Sequence, residues 1–352
     1  MVVGEAVRSA AAFLLEGRDS DGWWRDFDVA GPSDAWVTAY VGLALATVGD
    51  GPARRAACRA WELLRARGGW TAGWGYHARV PPDADTTAWA LRLADAVGDG
   101  RSFQAGRARR FLTRHLREDG GVATYSLPAP IARFTGLGDR FSGWSSSHAC
   151  VSAAAAGVER FGGRPRLLGF LRRRQRPDGS WAGYWWHDPE YATGLAVEAL
   201  SRTDEPDDRR RVEEAARWAT GRVDQDGKVS TALDPAGSPF ATAGAVRSFA
   251  AAVSRGKGPT AELGAALGRA SEWLLGTQGR HGGWKPSARL RVPPPDAADP
   301  ESVQEWGRDG TGEASIGTIV RDQRGLFTTA TVLAALCAAR VRQPERSASR
   351  GV

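Results

Sequence analysis

Two carboxylates at i and i+2, Asp83 and Asp85, open the segment Asp83-Ala84-Asp85-Thr86-Thr87-Ala88, and related segments recur along the chain. The others are Trp36-Val37-Thr38-Ala39, Cys150-Val151-Ser152-Ala153, Tyr191-Ala192-Thr193-Gly194, Phe240-Ala241-Thr242-Ala243 and Phe327-Thr328-Thr329-Ala330. Two residues before the aligned Thr or Ser stand Trp36, Asp85, Cys150, Tyr191, Phe240 and Phe327. If the repeats are equivalent in space, one acid faces a ring of mostly aromatic side chains. Desolvation and a neighbouring carboxylate both hold an acid in its protonated form. A desolvated aromatic face stabilises a cation by about 2 kcal/mol. The set therefore suits protonation of an alkene and retention of the carbocation that results. A plainer reading stands beside it. Asp before Thr at a helix start is an ordinary N-cap, and aromatics at equivalent positions can simply pack a core. Spacing alone favours the cap; the repeat context favours an acid role for Asp85, with Asp83 as its neighbour or only a cap.

The elements that must position these residues also repeat. Gly-containing turns lie at Asp21-Gly22-Trp23-Trp24, Gly68-Gly69-Trp70, Asp119-Gly120-Gly121, Asp178-Gly179-Ser180-Trp181, Asp226-Gly227 and Gly282-Gly283-Trp284. Each follows a helical stretch and leads through a loop into an Ala/Leu-rich helix. A two-helix repeat of roughly 40–50 residues cannot bury its apolar face alone, so neighbours must stack. Six such hairpins can close into a ring of inner and outer helices, an all-α fold of the α6/α6 toroid type. Residues 1–342 are read as one such toroid and 343–352 as a frayed polar tail. Few alternating runs of β-branched residues argue for strands. The two wide intervals, Tyr125 to Ser147 and Lys285 to Gly325, are expected to overhang one mouth as a lid.

Composition narrows the classes. The 352 residues carry a formal charge of +7, and no Arg/Lys run is interleaved with aromatics, which leaves nucleic-acid binding without support. An acidic small-molecule substrate fits that charge. Three scattered cysteines, Cys58, Cys150 and Cys337, argue against a disulfide framework and for the reducing cytoplasm. No stretch has the length of a membrane span, although a hydrophobic rim in peripheral contact with a membrane is compatible with the sequence. Neither HExxH nor CxxC is present, so no metal ligands are visible.

Phe170-Leu171 with Gln175, Gly179 and Trp181, and Trp273-Leu274 with Gln278, Gly282 and Trp284, share their offsets. They resemble the QW repeats of squalene cyclases and related terpene cyclases; Phe13-Leu14 with Gly22 and Trp24 is similar, with Arg18 in place of Gln. Asp83-Ala84-Asp85-Thr86-Thr87-Ala88 resembles the DxDD-Thr-Ala acid motif of class II terpene cyclases, in a DxDTT form similar to that of drimane-forming bacterial cyclases. The resemblance implies that Asp85 protonates a terminal alkene, with Asp83 beside it and Thr86 where the family usually has Asp. It also implies Mg²⁺ as a cofactor. A His partner of the acid, expected on the next inner helix, has its nearest counterpart in His148. The substrate implied is a linear isoprenoid, farnesyl or geranylgeranyl diphosphate or a prenylated aromatic, and the product is of drimane or labdane type. Arg289 and Arg291, in the second wide interval, are the candidates for an anionic head group; Arg324 is a further one. For each, a solvated surface role is the competing reading. Class II cyclases normally complete the cavity with a second helical domain, for which these residues leave no room. The long loops, a second subunit or a second copy is expected to close it. Two alternatives remain: a partner-dependent isoprenoid-binding subunit, and a glycoside hydrolase on the same toroid, using Asp34 with Asp85.

Overall fold

The computed structural model describes residues 3–49, 51–68, 72–126, 128–138, 140–253, 261–307 and 316–340. Among them the inner helices are α2 (Ala35–Ala46), α4 (Ala84–Ala96), α7 (Ala149–Ala156), α9 (Pro189–Leu200), α11 (Pro239–Val253) and α13 (Leu326–Arg340). Each packs on the next, and α13 returns to α2, which closes the ring. The outer helices are α1 (Val3–Glu16), α3 (Gly51–Arg67), α5 (Phe103–Thr113), α8 (Arg164–Arg174), α10 (Pro206–Arg222) and α12 (Ala261–Gly276), and α1 closes the outer layer against α13. The expected α/α toroid is the observed fold. The tail from Gln343 to Val352 lies outside the described residues.

The layering follows from side-chain size and polarity. Outer helices are amphipathic, with Leu and Ala on one face and Arg and Glu on the other. Inner helices are buried on nearly every face, as α7 (ACVSAAAA) shows, every residue of it from Cys150 to Ala156 being buried. Small residues permit the crowding. A Cβ added at Gly244 of α11 would lie 2.8 Å from the Glu190 backbone of α9, so only glycine allows that approach.

One hydrogen-bonded clip recurs in every repeat and explains the sequence pattern. The aligned Thr or Ser hydroxyl of each inner helix accepts a backbone N–H from the preceding turn: Trp24 to Thr38 (3.0 Å), Trp74 to Thr87 (3.1 Å), Val122 to Ser152 (2.9 Å), Trp181 to Thr193 (3.0 Å), Val229 to Thr242 (2.9 Å) and Trp284 to Thr329 (3.1 Å). In four repeats the Trp indole N–H also caps the end of the outer helix, donating to Leu14, Leu64, Leu171 and Leu274 carbonyls ten residues earlier at 2.6–2.8 Å. Gln175 and Gln278 stitch this turn to the neighbouring hairpin, donating to Gly179 and Arg211 carbonyls and to Gly282 and Ala6 carbonyls respectively. The equivalent tryptophan of the second repeat is Trp74, not the Trp70 of the expected turn; Gly69 and Trp70 lie outside the described residues.

Both wide intervals depart from simple loops. The first contains α6 (Pro128–Thr135), and the second a short antiparallel ribbon, β1 (Arg289–Val292) with β2 (Thr318–Arg321), which the weak strand signal did not predict. They are joined across one mouth of the ring: Trp144 donates its indole N–H to Pro293 O at 3.0 Å, and Gly143 N–H bonds Pro295 O at 2.9 Å.

Candidate active site

Asp83 terminates an extended segment and caps α4. Its two oxygens accept the Thr86 backbone N–H at 2.7 Å and the Thr86 hydroxyl at 2.8 Å. Both donors favour an ionised Asp83, though burial pushes this group up to about 7. Thr86 thus satisfies Asp83, and not Asp85. Asp85, one helical step inside, is raised to about 8, first by burial and then by the charge of Asp83. The indole N–H groups of Trp36 and Trp89 approach it and oppose that rise, as does the positive charge of Arg92. Both indole N–H groups are buried without a hydrogen-bond partner of good geometry. The pair therefore separates in order: Asp83, held by two donors, releases its proton first, and Asp85 keeps its own to higher pH.

Asp85 is partly accessible, and its open side faces a cavity with about 700 Å³ of empty space, including its open mouth. Trp36, Tyr76, Tyr125, Trp144 and Trp185 wall the cavity, with Ile131 and Phe134 of α6 and Leu290 and Val292 of β1. Both wide intervals thus contribute walls. A mostly apolar space with a few polar groups, Asp83, Asp85, Thr86, Thr124 and Thr135, suits a hydrophobic ligand.

The aligned aromatics converge, but only Trp36 lines the open cavity. Trp36 packs on Phe327 (4.9 Å between centroids), Tyr191 stacks on Phe240 (5.5 Å), and Trp186 fills the centre, 4.4 Å from Tyr191 and 5.1 Å from Phe327. Tyr191, Phe240 and Phe327 thus form a packed floor behind Trp36. Sequence reasoning missed Tyr40 and Trp89, which lie one helical turn beyond Trp36 and Asp85 and meet edge-to-face at 4.7 Å; the i, i+4 spacing would have revealed them. It also missed Trp185 and Trp186, which stand outside the repeat register.

The remaining candidates sit around this centre. Cys150 is buried near Asp85, and desolvation, then the Asp85 charge, pushes its thiol up to about 11. His148 stands behind the wall. Its Nδ1 accepts the Thr124 hydroxyl at 2.9 Å, its Nε2–H donates to Gly143 O at 2.9 Å, and burial depresses it to about 3, so it is neutral. Arg289 and Arg291 do not reach the cavity: Arg289 pairs with Asp234 at 2.8 Å, and Arg291 donates to Tyr184 O at 2.9 Å and to Gly183 O, locking the ribbon to the turn below. Arg324 pairs with Asp19 at 2.7 Å. Asp34 caps α2 and pairs with Arg67 at 2.6 Å, which removes it from a partnership with Asp85. His187 bonds its neighbour Asp188 at 2.9 Å. Among the described residues no three His, Cys, Asp or Glu side chains come together to hold a metal ion, so the described residues do not fit a Mg²⁺ site.

Comparison with known proteins agrees with this geometry. Residues 158–235 match the squalene-hopene cyclase C-terminal domain family. The type II terpene cyclase MstE from Scytonema superposes with a TM-score of 0.91 at 39% identity, covering 97% of this chain and 99% of that one. The chain belongs to the type II terpene cyclases. MstE has been captured with geranylgeranyl dihydroxybenzoate as substrate. A protein from Actinoplanes matches with a TM-score of 0.90 at 42% identity, over 96% of this chain and all of its own. Drimenyl diphosphate synthase of Streptomyces showdoensis is 27% identical over 71% of this cyclase and 45% of its own length; the chain spans less than half of the curated relatives it matches. An α-1,6-mannanase of Salegentibacter shares only the fold, with a TM-score of 0.61 at 13% identity. Among the described residues no helix is long and apolar enough to cross a membrane.

Proposed function

We propose that this cyclase converts a linear isoprenoid into a polycyclic product by protonation, with Asp85 as the proton donor. The observation that carries the reading is a neutral carboxyl, raised to about 8, facing an apolar cavity walled by tryptophan and tyrosine. The Asp85 O–H bond breaks as its hydrogen adds to the terminal alkene, leaving a tertiary cation. The next alkene attacks that cation and the first ring closes; later rings follow in the same way. Loss of a proton, or capture of water, ends the sequence. The carboxylate left on Asp85 is met by the two unpartnered indole N–H groups of Trp36 and Trp89, fixed donors aimed where the charge develops. Trp36 and Trp185 offer π faces to the cation. Cys150 and His148 act as packing and as support for Thr124.

Among substrates, a prenylated aromatic of the geranylgeranyl dihydroxybenzoate kind leads. Full-length likeness to MstE supports it, and Arg289 and Arg291, the candidates for a diphosphate, are engaged elsewhere. Farnesyl or geranylgeranyl diphosphate is the second reading, supported by the named reactions of the curated relatives. Since two of the chain's own loops wall the cavity, the protein is taken to work without a second subunit. Incubation of the full chain with geranylgeranyl dihydroxybenzoate, and separately with each diphosphate, followed by mass spectrometry, tests both readings. A cyclic isomer that is absent with Asp85→Asn is expected; a product that persists in that variant refutes the mechanism.

A further inference from the structure

The ring has a second cavity at the C-terminal ends of the inner helices, beyond Tyr40 and Trp89 from the first, with about 1370 Å³ of empty space including its open mouth. Its polar groups are unbalanced. Among the described residues, Arg92 of α4, Arg247 of α11 and Arg202, just past α9, all line it, against the single carboxylate of Glu198. The hydrogen bonds described for these guanidinium groups all go to Glu198, at 2.8 Å from Arg92, 2.7 Å from Arg202 and 2.6 Å from Arg247. Arg92 and Arg247 are only 8% and 12% exposed. A brace between α4, α9 and α11 needs no such surplus, and desolvating an uncompensated cation costs several kcal/mol. Burial, and then repulsion from Arg202 and Arg247 against the attraction of Glu198, lowers the Arg92 pKa, whereas Glu198 outweighs burial at Arg247 and holds its pKa up. A concave site with like charges and apolar walls concentrates counter-ions of opposite sign. Small apolar side chains, Ala44, Ala250, Ala330 and Ala334, supply much of the rest of the lining.

We propose that this far cavity is a second binding site, for an organic oxyanion: a phosphate, diphosphate or carboxylate head on Arg92, Arg202 and Arg247, and a slender apolar body along the alanine wall. The inference rests on the charge and shape of this cavity and not on the reaction at Asp85. Isothermal titration of the full chain at low salt with inorganic diphosphate and with octyl phosphate tests it, alongside Arg247→Gln, Ala334→Phe and Asp85→Asn. Both probes are expected to bind once per chain and to be indifferent to Asp85→Asn. Arg247→Gln should weaken both by about tenfold or more, as loss of a charge-assisted hydrogen bond does. Ala334→Phe, which fills the apolar wall and leaves every arginine in place, should weaken octyl phosphate by about tenfold, the worth of roughly two buried methylene groups, and inorganic diphosphate by much less. Absence of binding, or binding that neither Arg247→Gln nor Ala334→Phe alters, overturns the proposal. Should Arg247→Gln fail to fold, the contrast between the two probes in Ala334→Phe decides alone.

Discussion

Asp85→Asn separates the acid reading from the packing reading without any substrate. In the folded chain Asp85 is raised to about 8 from an ordinary 3.8, chiefly by burial and then by Asp83. Between those two values the folded state holds a proton that the unfolded state has released. Stability must therefore fall as pH rises through that window, by at most about 1.4 kcal/mol per pH unit for one proton. Over the full span the ceiling is about 6 kcal/mol. Because the carboxyl opens onto a cavity that water can enter, screening reduces this to about 2–4 kcal/mol. Asparagine has nearly the same shape and no titration, so the variant lacks this slope. Asp83, and Asp26 and Asp322, a second buried pair, are also raised by desolvation and impose a slope of their own. That slope is common to both proteins and cancels in the difference. Urea denaturation at pH 4.5 and pH 8.5 measures it. The stability of Asp85→Asn relative to the natural chain should rise by about 2–4 kcal/mol between the two pH values. Parallel curves for the two proteins would mean that Asp85 titrates normally, is ionised at pH 7 and has no proton to give.

Three further substitutions probe the frame that holds the acid. Thr193→Val removes the hydroxyl that accepts the Trp181 N–H and leaves that donor buried, so urea denaturation should show a loss of about 1–3 kcal/mol; a loss below about 0.5 kcal/mol would mean that the clip contributes little. Ala72 occupies, with φ 63°, the turn position that Gly22, Gly120, Gly179, Gly227 and Gly282 fill with φ of 85–96°. Ala72→Gly relieves that left-handed strain and should raise stability by up to about 1 kcal/mol, read as a higher melting temperature. Gly244→Ala drives a methyl into the Glu190 backbone and should cost about 1–3 kcal/mol, read by the same melting measurement; an unchanged melting temperature would show that α9 and α11 can separate freely.

The toroid was legible because its repeat is written in hydrogen-bonding chemistry. Thr38, Thr87, Ser152, Thr193, Thr242 and Thr329 align in sequence, and the structure gives each the same backbone donor. The same frame placed Trp36, Asp85, Tyr191, Phe240 and Phe327 around one axis. What the frame did not contain was not legible. Which aromatics face open space and which form a floor depends on Trp186, a loop residue outside the repeat register that fills the middle of the ring. The fate of Arg289 and Arg291 depends on a ribbon whose short strands carry almost no periodic signal, and on Asp234 and the Gly183–Tyr184 turn, distant in sequence. The second tryptophan was misplaced because the Gly68–Gly69 pair mimics the turn signature, whereas the spacing of ten residues from Leu64 selects Trp74.

The repeat also explains how one acid comes to work alone. Six equivalent positions share one backbone environment, a helix start tied to the turn before it, and five of them carry side chains that cannot ionise at neutral pH: Trp36, Cys150, Tyr191, Phe240 and Phe327. Burial therefore desolvates no charge at the neighbouring positions, while at Asp85 it acts on a carboxyl and retains the proton. Asp83 adds to that retention from the cap position, where Thr86 supplies both of its hydrogen bonds. The fourth position of the motif is thus not required to touch Asp85. A threonine there, in place of a third carboxylate, favours the ionised form of Asp83 and leaves Asp85 as the member that holds its proton to higher pH. Within this frame, the acid's strength is set by Asp83 and by the indoles of Trp36 and Trp89, so exchanging those neighbours would tune the proton donor while the toroid stays the same.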